Sequence, residues 1–145
     1  MLHHTVLRVV AKLLIPVILL FALYVQFHGD YSPGGGFQAG VIFAAGIILY
    51  ALIFGLEDTM EALPPGVLKI LSASGVLIYA GVGLETIILG GNYLDYNFLA
   101  HEPTHGQHLG IFLVELGVGT TVFSTMLLPA IATLRLYSRA TSITC

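Results

Sequence analysis

Long apolar stretches separated by short polar, turn-rich breaks dominate the chain. Residues 7–27, 37–56, 67–89 and 109–134 are almost wholly apolar. Each is close to the roughly 20 residues needed to carry a helix across about 30 Å of hydrocarbon. The intervening segments 28–36, 57–66 and 90–108 hold the Gly, Pro, Asn and Asp residues that end helices. The pattern predicts an all-α membrane protein with four transmembrane helices in a single domain over 1–145. Arg8 and Lys12 precede the first apolar run as they would in a secretory signal. Gln26, Phe27 and His28 stand where small residues would mark a cleavage site, so the first span is expected to stay as an anchor.

Composition agrees with burial in lipid. The chain is 57% hydrophobic and 9% charged, well below the charged fraction of about a quarter in soluble domains. Its net charge is −3 and it has no basic run, which argues against a nucleic-acid partner. Cys145 stands alone, so no disulfide within the chain is available. The five cations Arg8, Lys12, Lys69, Arg135 and Arg139 all flank one side of a four-span topology. Both termini and segment 57–66 are therefore expected to be cytoplasmic. Lys12 can snorkel to the headgroups beside Arg8. Pro16 and Pro129 fall inside the first and fourth spans, where each removes a backbone donor and can kink its helix.

Small residues recur at helical spacing. Gly36, Gly40 and Ala44 make one stripe, and Gly106, Gly110 and Gly117, extended by Gly119 and Thr120, make another. Such stripes let helices approach closely in lipid and point to protein neighbours. Glu85 and Glu115 are carboxylates placed within apolar spans, where charge is costly and commonly serves an ion or proton path. With the third and fourth spans packed together, the two could share a wet pocket. The plainer reading makes each a protonated or hydrogen-bonded packing residue.

Three further features carry candidate chemistry. The glycine-rich segment 28–37 can aim backbone N–H groups at an anion just before the second helix, or serve only as a tight turn; it lacks the Lys and Ser/Thr of a P-loop. His101-Glu102-Pro103-Thr104-His105 matches the zinc motif HExxH, with His108 as a third ligand. Pro103 and Gly106 oppose the continuous helical turn that motif requires, so no metal site is assigned there. His28, at a helix end, reads as an interfacial polar group ahead of a haem ligand.

The run HGDYSPGGGFQAG at residues 28–40 closely resembles the signature of the MnhB/MrpB subunit of bacterial multisubunit Na+/H+ antiporters. FLVELGV at 112–118 resembles that family's second marked segment, in the last helix. The resemblance extends over essentially the whole chain and is weakest in the third span. It implies a small subunit of the bacterial cell membrane that assembles with larger antiporter-like subunits and exchanges Na+ for protons. It implies no bound cofactor and no bond-making chemistry, so a transporter component and not an enzyme. His28, Pro33, Gly34, Gly35, Gly36, Phe37 and Gly40 match motif positions, and Glu115 matches the acidic one. Related subunits in membrane-bound hydrogenases leave a redox-driven complex as the alternative, beside a purely structural subunit and the zinc protease.

Overall fold

The structure, a computed structural model, describes residues 2–29, 34–99 and 103–143. It contains α1 (Leu2–Phe27), α2 (Gly36–Phe54), α3 (Leu56–Ala62), α4 (Pro65–Ile88), a 3₁₀ turn (Tyr96–Phe98) and α5 (Pro103–Ile143). Four of these helices, all but the seven-residue α3, are long and apolar enough to cross a membrane. They stand in a row, α1 beside α2, α2 beside α5 and α5 beside α4, with slight contact between α1 and α5.

Two kinds of packing hold the row. At one end Leu68, Leu127 and Ile131 are buried together, enclosed by Ile47, Met60, Phe123 and neighbouring aliphatic side chains. Lys69, Arg135 and Arg139 lie near this cluster, which marks it as the basic end. Toward the other end glycine replaces side-chain packing. In lipid there is little hydrophobic drive between helices, so close backbone approach supplies the contact. Gly46 receives Leu19 and Ile18 of α1, Gly40 lies against the Gly119 carbonyl, and Gly75 faces the Gly117 carbonyl and Thr121. Hydroxyls between these seams bond to their own helices: Thr120 to Leu116 O at 2.7 Å, Thr121 to Gly117 O at 2.9 Å and Ser124 to Thr120 O at 2.8 Å. Their polarity is thereby satisfied without water.

The helix limits differ from the sequence pattern in two places. Segment 57–66 was expected to be a plain loop, yet α3 forms within it. Gly55, at φ 123°, breaks α2, a conformation open to glycine alone at little cost. The chain then coils for two turns, with Thr59 buried and its Oγ1 donating to Gly55 O at 2.9 Å. Pro65 starts α4 at the first helical position, where its missing N–H costs nothing. The second difference is larger. The fourth span was expected over 109–134, whereas α5 runs for 41 residues from Pro103 to Ile143. Pro103 opens the helix instead of excluding it, again at a position that needs no donor. Gly106 and Gly110 are tolerated because both are buried, Gly110 beneath the Tyr96 ring. Past residue 134 neither Gly nor Pro intervenes before the end of α5.

The connection between α4 and α5 is tied down. Leu94 holds a left-handed φ of 63° and its N–H donates to Thr86 Oγ1 at 3.0 Å, while Thr86 itself donates to Gly83 O at 2.8 Å. Tyr93 covers Gly83. Asn97 bonds Asp95 at 3.0 Å and accepts from Gln107 Nε2 at 3.0 Å, which joins the loop to the first turns of α5.

Candidate functional site

Residues two apart on a helix point about 200° apart, and this decides where Glu115 lies. Gly117 meets α4 through Gly75 and Ile78, so Glu115 is directed to the opposite side of α5, toward α2. Its main-chain carbonyl abuts Gly36, and a Cβ there would overlap it. Its carboxylate occupies the space where side chains at Gly29 and Gly35 would stand; a Cβ on Gly35 would lie 2.9 Å from Oε1. The carboxylate therefore sits where α1 ends and α2 begins, half-buried. Glycine at position 36 admits the Glu115 main chain, and glycine at positions 29 and 35 leaves room for its carboxylate.

Both helix ends bear on this carboxylate. The first N–H groups of α2 lack intrahelical acceptors and carry the positive end of its dipole, which favours an anion. The last carbonyls of α1 face the same junction with the opposite sign. His28 closes α1, with its ring stacked on Tyr24 at 4.1 Å and Nδ1 3.0 Å from Tyr24 O. Phe27 stacks on Phe112 of α5 at 5.9 Å. Of the other motif positions, Gly40 is buried on α5, Phe37 is exposed, and Gly34 lines a cleft with Phe21, Tyr24 and Phe37. Pro33 lies outside the described residues.

A second cleft, of about 430 Å³, opens below this junction between α1, α2 and α5, lined in part by Leu23, Gln26, Phe27, Gly40, Gly119 and Thr120. Gln26 points into the helix row, and a Cβ on Gly119 would lie 2.6 Å from its Oε1. Its Nε2 is buried without a hydrogen-bond partner among the described residues. Gln26 was not singled out from sequence. The signal was there, a lone amide at the end of an apolar span one turn before the glycine motif.

Glu85 stands elsewhere. It is exposed on α4, off the seam formed by Val82, Gly83 and Thr86. Gly75 is level with Gly117 in the antiparallel pair, so Glu115 is level with about residue 77 and Glu85 lies about eight residues farther along, about 12 Å. The neighbouring packing of the two helices is present, but the shared pocket expected from it is not formed: the carboxylates differ in both face and height. The stripe from Gly106 to Thr120 likewise divides, since Gly110 and Gly117 serve the loop and α4 while Gly119 serves α2 and α1. Of the HExxH residues, His101 and Glu102 lie outside the described residues. His105 and His108 are exposed on the first turns of α5. In the same loop burial raises the Tyr96 phenol above its usual pKa of 10.0, helped by the neighbouring Tyr79 and Tyr93.

Residues 6–128 match the family described as a domain related to the MnhB subunit of Na+/H+ antiporters. That range includes the motif, Gln26, Glu85 and Glu115. The antiporter subunit mnhB2 of Staphylococcus haemolyticus is 34% identical over 130 residues, covering 83% of this chain and 92% of that protein. The mnhB2 of Staphylococcus aureus strain Newman is 38% identical over 119 residues, covering 80% and 84%.

Proposed function

Since the chain belongs to the MnhB family of Na+/H+ antiporter subunits, we propose that it serves as that subunit in a multisubunit antiporter of the bacterial cell membrane, with Glu115 as its ion- or proton-handling group. The observation that carries the role of Glu115 is its placement: an acidic side chain in a membrane helix, lodged at the junction of two helix ends. A carboxylate there can accept a proton or pair with a cation, and coupling requires that it hold one at a time. The positive end of α2 lies at the same junction, and the end of α1 offers carbonyl oxygens of the kind that favour a cation.

The remaining residues of the site position this group. Gly29, Gly35 and Gly36 make the space, His28 and Phe27 anchor the end of α1, and Gly40 brings α2 onto α5. Glu85, exposed on α4, faces outward and is suited to a neighbouring subunit. The cations gather at the end away from the motif, with Lys12 6.0 Å over the ring of Phe54 and Lys69, Arg135 and Arg139 around one cleft. This end is therefore cytoplasmic and both termini with it, the motif facing outward. Larger subunits, Na+, H+ and membrane lipid are the partners, and the chain acts as a transporter component without bond-making chemistry of its own.

Na+-dependent proton exchange in everted vesicles carrying the assembled complex tests the reading. Glu115→Gln is expected to lower exchange by about tenfold or more with the complex intact, the loss of one differential contact of about 1.4 kcal/mol or greater. Wild-type exchange by an assembled Glu115→Gln complex would make the residue purely structural.

A further inference from the structure

We propose that the basic end of the α4–α5 seam binds one anionic phospholipid of the adjacent leaflet, the phosphate held by Lys69, Arg135 and Arg139 and an acyl chain lying along the seam. The headgroup site is a cleft of about 430 Å³ whose walls include these three cations with Leu128, Ile131 and Leu136. Among the described residues no acidic side chain lines it. Glu57, Asp58 and Glu61 all belong to α3 and lie outside its walls.

The convergence of the cations follows from helix geometry. Side chains lean toward the N-terminus of their own helix. The helices α4 and α5 are antiparallel, as the pairings of Leu68 with Leu127 and of Gly75 with Gly117 show. Lys69 therefore leans toward the basic end while Arg135 and Arg139, one turn apart, lean back into the membrane. Opposite leans bring Lys69 and the two arginines toward one another across the cleft they share. Basic pockets between transmembrane helices at this boundary suit anionic lipid heads.

The groove above supplies the second half of the match. A cleft of about 550 Å³ shares Lys69 and Leu128 with the headgroup site and continues along Ser72, Ala73, Val76 and Leu77. A third, of about 240 Å³, shares Val76 and passes Tyr79 to reach Gly117 and Thr121. The three join end to end. From Lys69 to Tyr79 is ten residues, about 15 Å of helix, or half of a hydrocarbon core of about 30 Å. A trough one leaflet deep, mostly apolar along its length and cationic at its mouth, has the polarity of a single amphiphile with an anionic head. A partner helix would need its own carboxylate at that level. The site is independent of Glu115, and Arg135 and Arg139 lie beyond the stretch matched by the family.

Native mass spectrometry of the assembled complex, delipidated and titrated with phosphatidylglycerol or phosphatidylcholine, tests the assignment. The expected result is preferential retention of phosphatidylglycerol, with the R135Q/R139Q double variant losing it about tenfold, R135K/R139K keeping it, and phosphatidylcholine unaffected. Val76→Trp, which fills the trough and spares the cations, is expected to weaken retention as well. Equal retention by wild type and R135Q/R139Q would overturn the proposal. So would displacement of the lipid by millimolar inorganic phosphate alone, or a photocrosslink from position 77 that captures another subunit in place of lipid.

Discussion

The two sides of α5 are built from the same residue type and do different things. Toward α4, Gly75 and Gly117 meet backbone to backbone, and the Thr121 hydroxyl beside them donates to Gly117 O at 2.9 Å. Toward α2, Gly36 and Gly40 also allow a close crossing, but the seam ends at a carboxylate and lies beside an amide whose Nε2 is unsatisfied among the described residues. A glycine seam is thus a way to bring helices together and says nothing about what is held between them. The first seam is a closed structural contact, and the second ends at an acidic side chain beside a buried donor, Gln26 Nε2, that has no acceptor among the described residues.

Substitutions can break this comparison, beginning with the largest expected effect. Gly36→Val places a side chain against the main-chain carbonyl of Glu115, which cannot rotate away. Complex assembly on native gels should be lost, with a destabilisation of about 3 kcal/mol or more, and no change at position 115 should restore it. Gly75→Ala meets the Thr121 hydroxyl as well as the Gly117 carbonyl, so thermal unfolding should show a cost of about 2 kcal/mol that Thr121→Ala partly relieves. If the two seams responded alike to such rescue, the distinction would fall. Gln26→Leu should be neutral or stabilising by about 1 kcal/mol, because it removes a buried donor with no acceptor. Reduced exchange in that variant would instead place Gln26 on the ion path. The smallest effect belongs to Tyr96. Its raised pKa means the folded state keeps the phenolic proton after the unfolded chain has released it, so its contribution is complete below about pH 10 and declines as pH rises from there through the folded value. Tyr96→Phe should flatten the loss of stability in an alkaline titration.

Much of this architecture was legible because lipid enforces simple rules. Twenty apolar residues between turn signals leave few alternatives to a spanning helix, and cations clustered at alternate breaks mark one end of the row. Gly36 and Gly40 could be read as a contact stripe. The partner of that stripe could not, because spacing along one helix carries no information about which neighbour it faces. Gly75 and Gly83 passed unnoticed for the same reason: eight residues apart in an apolar span, they show their purpose only when Gly117 and Tyr93 are set against them. The start of α5 failed on ambiguous chemistry, since proline ends a helix that precedes it and begins one that follows. Glu115 is thus six residues from the expected start of the span at 109 but twelve past Pro103 in α5. The pocket expected to join it to Glu85 assumed only that the two spans pack together, and packing alone sets neither the height nor the face of a side chain.

The length of α5 has a mechanical consequence for the bilayer around it. The stretch Thr104–Ala140 has 37 residues, about 55 Å of helix. Even at a steep tilt of about 40° it rises about 42 Å, against a hydrocarbon thickness of about 30 Å. Roughly 12 Å must then emerge as a rigid post, whichever way the helix leans. The ends of α5 must therefore reach into the headgroup layers, and at the basic end Arg135, Tyr137 and Arg139 are side chains suited to that polar boundary.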